Sequence, residues 1–253
     1  MSLQILLLSL VAFASAAAKQ PLEQIERKDY PVTANVALTL RLADGTVHIY
    51  GSDQNVIKLT AIKKAYTQER LDQIKVGVTV NGDAATIETT FPANPGGLSL
   101  ADRSGTVDYV LLVPQTCTIK LLEVENGEVI VEGLRGDGVN VRLTNGRILA
   151  KNCFTTTDLT LARGGVEVAF YWWESRAFDV KAQSTSGDVH VALPKNANAR
   201  FDAATGDGWI RNQFVKDETN GDARALQWTM GEEAANTITL RAQSGNIRIE
   251  NIY

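Results

Sequence analysis

Residues 121–170 read LLEVENGEVIVEGLRGDGVNVRLTNGRILAKNCFTTTDLTLARGGVEVAF. One pattern occurs three times there: an apolar-x-apolar triplet, two residues, a glycine, one residue and a second triplet. The copies run Leu122–Val131 about Gly127, Val141–Ala150 about Gly146 and Leu159–Val168 about Gly164. Looser copies centre on Gly187, Gly208 and Gly245, and upstream Leu40–Ile49 fits fully about Gly45. Gly105 heads a half copy. From Gly127 onward the glycine intervals are 19, 18, 23, 21 and 37, the last close to two units.

Alternation with period two puts the apolar members of each triplet on one face of a strand. A period near 19 that repeats this face suits a stacked solenoid, because a single unit cannot bury its apolar side but a stack makes one continuous core. The expected inward ladder is Val129, Ile148, Val166, Val189 and Ile210, with Glu128, Arg147, Asp188 and Trp209 facing outward. An antiparallel meander stays open as the rival, since Asn-Gly between alternating strands is also a hairpin signal.

Five segments carry a family resemblance: Leu42–Gly51, Tyr109–Pro114, the repeats from Leu122 to Val168, Ser184–Pro194 and Gln243–Ile249. In these the chain resembles the bacterial putative-adhesin family of exported domains. The resemblance covers about Val32 to Tyr253. It implies a β-solenoid-like fold and a place in the cell envelope or at the surface, and it names no catalytic residue. The aromatic run after Val168 and the segment Phe214–Asn236 depart from the family pattern; the latter reads as an insertion with Trp228 on a locally paired strand.

The organisation follows. Residues 1–18 carry no charged side chain and hold an apolar run ending in Ala14-Ser15-Ala16, the layout of a cleaved secretory signal. The run is too short for a permanent span. Residues 19–29 read as a polar leader and 30–253 as one all-β domain. Within it, Val76–Val80 and Ala85–Ile87 form a hairpin about Gly82, and Tyr66–Lys75 holds the one helix-like stretch. A mature protein without a membrane anchor, in the periplasm, secreted or at the bacterial cell surface, is the expectation.

Composition bounds the chemistry. The 253 residues carry 25 Lys and Arg against 29 Asp and Glu, a balance that excludes a broad phosphate-binding surface and argues against nucleic acid as partner. Two His and two Cys cannot assemble a His-rich or four-cysteine metal centre. His48 and His190 fall at outward strand positions, and Ser184 and Ser186 before His190 read as turn chemistry. Asp108, Glu128, Asp137, Glu167 and Asp188 supply the acids for an alternative, a polysaccharide-active β-helix enzyme. No carboxylate column accompanies them. Gly136-Asp137-Gly138 and Gly206-Asp207-Gly208 lack the nine-residue period of calcium β-rolls, and Arg135-Gly136-Asp137 is read as a chance tripeptide. Cys117 and Cys153, 36 apart, are expected in similar columns two rungs apart, buried and unpaired.

The sequence therefore predicts no catalytic, metal or cofactor residues and a non-enzymatic module that binds a protein or glycan of the envelope. Self-association of the solenoid is a third reading. The contact site is expected where the rhythm breaks. The interval of 23 contains Tyr171, Trp172 and Trp173, and two adjacent Trp cannot both face inward on a strand.

Overall fold

The computed structural model describes residues 20–93, 102–215, 223–232 and 235–252; the expected export signal lies outside them. In chain order they form β1 (Leu22–Pro31), β2 (Ala37–Ser52), β3 (Val56–Ala65), α1 (Gln68–Gln73), β4 (Lys75–Asn81), β5 (Ala84–Thr90), β6 (Thr106–Pro114), β7 (Thr118–Glu132) and β8 (Val139–Lys151). They continue with β9 (Thr157–Ala169), β10 (Asp179–Ser186), β11 (Val189–Leu193), β12 (Ala199–Thr205), β13 (Ile210–Asn212), β14 (Ala225–Met230), β15 (Asn236–Ser244) and β16 (Ile247–Asn251).

The repeats stack as a parallel solenoid. Strands β2, β7, β8 and β9 lie in register, Gly45 beside Gly127, Gly127 beside Gly146 and Gly146 beside Gly164. The meander is thereby excluded. Each of these strands runs through its glycine and so supplies two arms of a rung. Further along the stack the arms are separate strands. Before the glycine corner the order is β4–β5–β2–β7–β8–β9–β10–β15–β12–β14, and after it β1–β3–β6–β2–β7–β8–β9–β11–β16–β13.

Glycine is required at the corner for two reasons. Gly146 has φ +136°, and a Cβ there would lie 1.7 Å from the carbonyl oxygen of Gly127. The same approach recurs at each step, Gly164 over Gly146 at 1.8 Å and Gly187 over Gly164 at 2.0 Å. The backbones touch along this spine, so no side chain fits between them.

The core runs along the stack. The ladder Tyr109, Val47, Val129, Ile148, Val166, Val189, Ile247, Ile210 is in register from rung to rung, and none of its members is more than 1% exposed. One expectation is corrected here. Ile210 does not follow Val189; Ile247 lies between them. The glycine interval of 37 is not two successive rungs. Instead β14 turns back antiparallel on β12, and the last segment, β15 with β16, enters between β10/β11 and β12/β13. This places the terminal strands inside the stack, paired on both sides.

Antiparallel strands close the ends. The polar leader expected over 19–29 is mostly strand, because β1 pairs with β3 along its whole length. Its side towards the core carries charge, with Glu26 paired to the buried Lys63, whose ammonium also donates to the Ile74 carbonyl. Charge on that side of an edge strand opposes further stacking. At the opposite end Trp228 of β14 stacks on Phe201 and Phe214, at 4.9 and 5.6 Å between ring centroids. The hairpin of β4 and β5 and the short α1 stand where the sequence placed them.

Cys117 and Cys153 are free and buried. They do not share a column. Cys117 directly precedes β7, whereas Cys153 lies four residues before β9, so the two sit at different points of the rung cycle. Burial pushes both thiols up to about 12 from the ordinary 9.0. Because the folded values exceed the unfolded one, this contribution to stability is complete below pH 9 and is lost as pH rises towards 12. The expected result with an aromatic disulfide reagent at neutral pH is no reaction in the native state and two thiols titrated after denaturation. Fast native modification of either thiol would show that the rungs open locally.

Candidate functional site

The break in the rhythm forms an aromatic corner on the side of the stack remote from the glycine spine. The links after β8 and β9 place Phe154, Phe170 and Phe178 in the core, at 0%, 1% and 4% exposure. Their backbones continue the stacking: the Phe154 N–H donates to the Leu134 carbonyl and that of Phe170 to Ala192. Asn152 anchors the insertion. It is buried, holds a left-handed backbone at φ +47°, and its side-chain oxygen accepts the Tyr171 N–H at 2.8 Å. A short polar residue tolerates that conformation better than a bulky one.

The three candidate aromatics then divide. Tyr171 and Trp172 are exposed, at 41% and 47%. Trp173 turns inward and packs on Phe170 and Phe178, at 5.4 and 5.2 Å between centroids. Trp172 leans against Phe154 at 5.8 Å, leaving its other surface open. The expectation that at least one of the two Trp is exposed agrees with this geometry, with Trp172 outward.

Arg135 and Glu174 brace the corner. The Arg135 Nε lies 3.1 and 3.2 Å from the two Glu174 carboxylate oxygens, and its guanidinium covers the Phe154 ring at 5.5 Å. Trp172 Nε1 donates to Glu174 Oε1 at 3.2 Å, which fixes the indole. Partial burial works to raise the Glu174 carboxyl, but the hydrogen bonds from Arg135 and Trp172 outweigh it and hold it below its ordinary value. The sequence reading missed both bracing residues. They stand 39 residues apart, two turns of the stack, a separation that carries no local signature. The engaged guanidinium also accounts for the Arg135-Gly136-Asp137 tripeptide, whose arginine is held within the fold. Beside the corner, Trp173, Glu174, Ser175, Arg176, Asn196 and Asn198 line a cleft of about 320 Å³.

The other candidates lie apart. His190 pairs with Glu250 at 3.1 Å, while the Ser184 hydroxyl faces inward and donates to the Gly164 carbonyl. His48 meets Tyr50 edge-on. Among the acids, Glu128 and Glu167 both reach Arg147, at 3.5 and 2.8 Å. Asp108 takes Lys64 at 2.8 Å and the Thr46 hydroxyl at 2.9 Å; burial works to raise it, but these bonds prevail and hold it below the ordinary range. Asp188 accepts the Asn246 backbone N–H. Each of these four carboxylates is engaged with its neighbours across rungs. Among the described residues no group of three His, Cys, Asp or Glu is placed to hold a metal ion, and no helix is long and apolar enough to cross a membrane.

The sequence matches the Toastrack DUF4097 family over residues 37–250. No curated protein matches it. Among solved structures, one described as a putative cell adhesion protein from Clostridium sporogenes ATCC 15579 is 18% identical, spans 92% of this chain and 100% of its own, and superposes with a TM-score of 0.54. That likeness shows a shared fold. A putative adhesin from Bacteroides fragilis NCTC 9343 is 12% identical over 92% of this chain and 99% of its own, with a TM-score of 0.31.

Proposed function

The chain belongs to the Toastrack DUF4097 family, and from that premise we propose that it is a non-enzymatic binding module of the bacterial cell envelope or surface. In this reading residues 1–18 are a cleaved export signal, and Tyr171 and Trp172 form the contact with a protein or glycan partner, held from beneath by Trp173. The observation that carries the reading is the braced, exposed Trp172. Its indole is fixed by Glu174 and Phe154, and with Tyr171 it presents aromatic surface at little cost in side-chain entropy. The adhesion role in the name of the Clostridium structure comes to this chain only as part of the proposal. The non-enzymatic reading is supported by the mutual neutralisation of the outward carboxylates Glu128, Glu167 and Asp108 by basic neighbours.

Division of the aromatics makes the test specific. Tyr171→Ala with Trp172→Ala removes exposed rings and is expected to leave the melting temperature near that of the parent. Trp173→Ala opens the packing on Phe170 and Phe178 and is expected to cost about 3 kcal/mol. Binding is read on isolated peptidoglycan, capsular polysaccharide and whole envelope fractions. The exposed double variant should lose at least about tenfold in affinity for the fraction that the parent binds. Binding equal to the parent's would remove the corner from the reading, and chain cleavage of any polysaccharide would replace the module with the enzyme alternative.

A further inference from the structure

Charges on the outer faces follow a rule. Where the register sets two charged residues side by side on neighbouring strands, they are of opposite sign: Arg41 between Glu88 and Glu123, Glu128 beside Arg147, Glu132 beside Lys151, Asp158 beside Lys181. Among the Lys, Arg, Asp and Glu of the described residues one register pair breaks the rule. Arg211 of β13 lies opposite Arg248 of β16. Both side chains are exposed, and neither forms an ion pair among the described residues. His190 continues the same row on the far side of Arg248.

Trp209 gathers the two guanidinium groups. Their central carbons lie 4.9 Å (Arg211) and 5.4 Å (Arg248) from its ring. The Trp209 backbone is itself fixed, its N–H donating to Asn246 Oδ1 at 3.2 Å. Neighbouring strands are about 4.8 Å apart, a spacing at which the two oxygens of one carboxylate, or two of a phosphate, each meet one guanidinium. Like charges held together on a shared ring repel unless an anion stands between them. We infer that Arg211, Arg248 and Trp209 form an oxyanion-binding site at this end of the solenoid, separate from the aromatic corner. The chemistry it recognises is a compact oxyanion, carried as the carboxylate of a uronic-acid sugar or free as inorganic phosphate.

Titration of the ¹⁵N-labelled protein with trigalacturonate, inorganic phosphate and uncharged maltotriose tests this, with the indole N–H resonance identified through Trp209→Phe. Either anion, and not maltotriose, is expected to shift the Trp209 indole. The tighter of the two names the source of the oxyanion. Arg248→Gln and Arg211→Gln should each weaken binding by about tenfold or more. Both substitutions remove like-charge repulsion from exposed positions, so the variants should melt no lower than the parent. No shift with either anion at about 10 mM, an equal response to maltotriose, or parent-like affinity in both Arg variants would overturn the site. None of these outcomes bears on the contact at Tyr171 and Trp172.

Discussion

Gly146→Ala is expected to cost about 3 kcal/mol or more and to lower the melting temperature well below that of the parent. Two effects add. The backbone at Gly146 has φ +136°, a region that a Cβ disfavours, and the new methyl would stand 1.7 Å from the Gly127 carbonyl oxygen. That oxygen belongs to backbone, so it cannot rotate away as a side chain would. Relief requires the two rungs to part, and parting them breaks the β7–β8 register on both sides of the corner. Against a typical stability of about 5–15 kcal/mol, such a loss is severe. Thermal or urea unfolding measures it directly.

Gly165→Ala supplies the control one register step away. A Cβ at Gly165 meets nothing within 4 Å, and its φ lies outside the left-handed region. Alanine there should be neutral or stabilise by about 0.5 kcal/mol through the unfolded chain. Equal effects at the two glycines would show that the spine does not constrain the stack. The contrast separates close backbone approach from a general intolerance of substitution in the strand.

Much of this architecture was legible because the spine writes itself into the sequence at fixed intervals. Gly127, Gly146 and Gly164 had to be glycine, and the flanking triplets had to be apolar on one face; both demands recur once per rung. What was not legible is the order of the last rungs. Ile210 and Ile247 satisfy the same inward pattern, so the pattern cannot say which lies next to Val189. Only the antiparallel return of β14 on β12 decides it. β1 was hidden for a different reason. As an edge strand it carries Glu26 and Lys28 towards the core side, and such charges erase the alternation by which strands are read. At the corner, the insertion was visible as a long interval, and the outward Trp was expected from strand geometry. Its bracing by Arg135 and Glu174 was not, because contacts two turns apart have no local signature. The like-charged Arg211 and Arg248 were equally hidden, since their adjacency depends on the inserted final rung.

Ile148→Asp is expected to be more disruptive still, at roughly 5 kcal/mol or more, because it places an ionisable group in the middle of a continuous core. Ile148 is 0% exposed and lies between Val129 and Val166. Neither neighbour offers a hydrogen bond, so the carboxyl would stay protonated in the folded state and its pKa would rise. The sign of the pH dependence follows. The unfolded chain releases that proton above about pH 4, so the variant loses stability as pH rises, by about 1.4 kcal/mol per unit, until the folded carboxyl also ionises. Partial recovery near pH 4 relative to pH 7 is therefore expected of this variant. Position in the stack sets the scale. In a solenoid each rung is stabilised by the two it touches, and β8 is flanked by long strands on both sides. Ile210 occupies the same column but on β13, which pairs with β16 alone through three residues. Ile210→Asp should therefore fray the end and leave the main transition in place. If both variants unfold alike, the molecule behaves as one cooperative unit; if Ile148→Asp melts like the parent, the inward ladder itself is wrong.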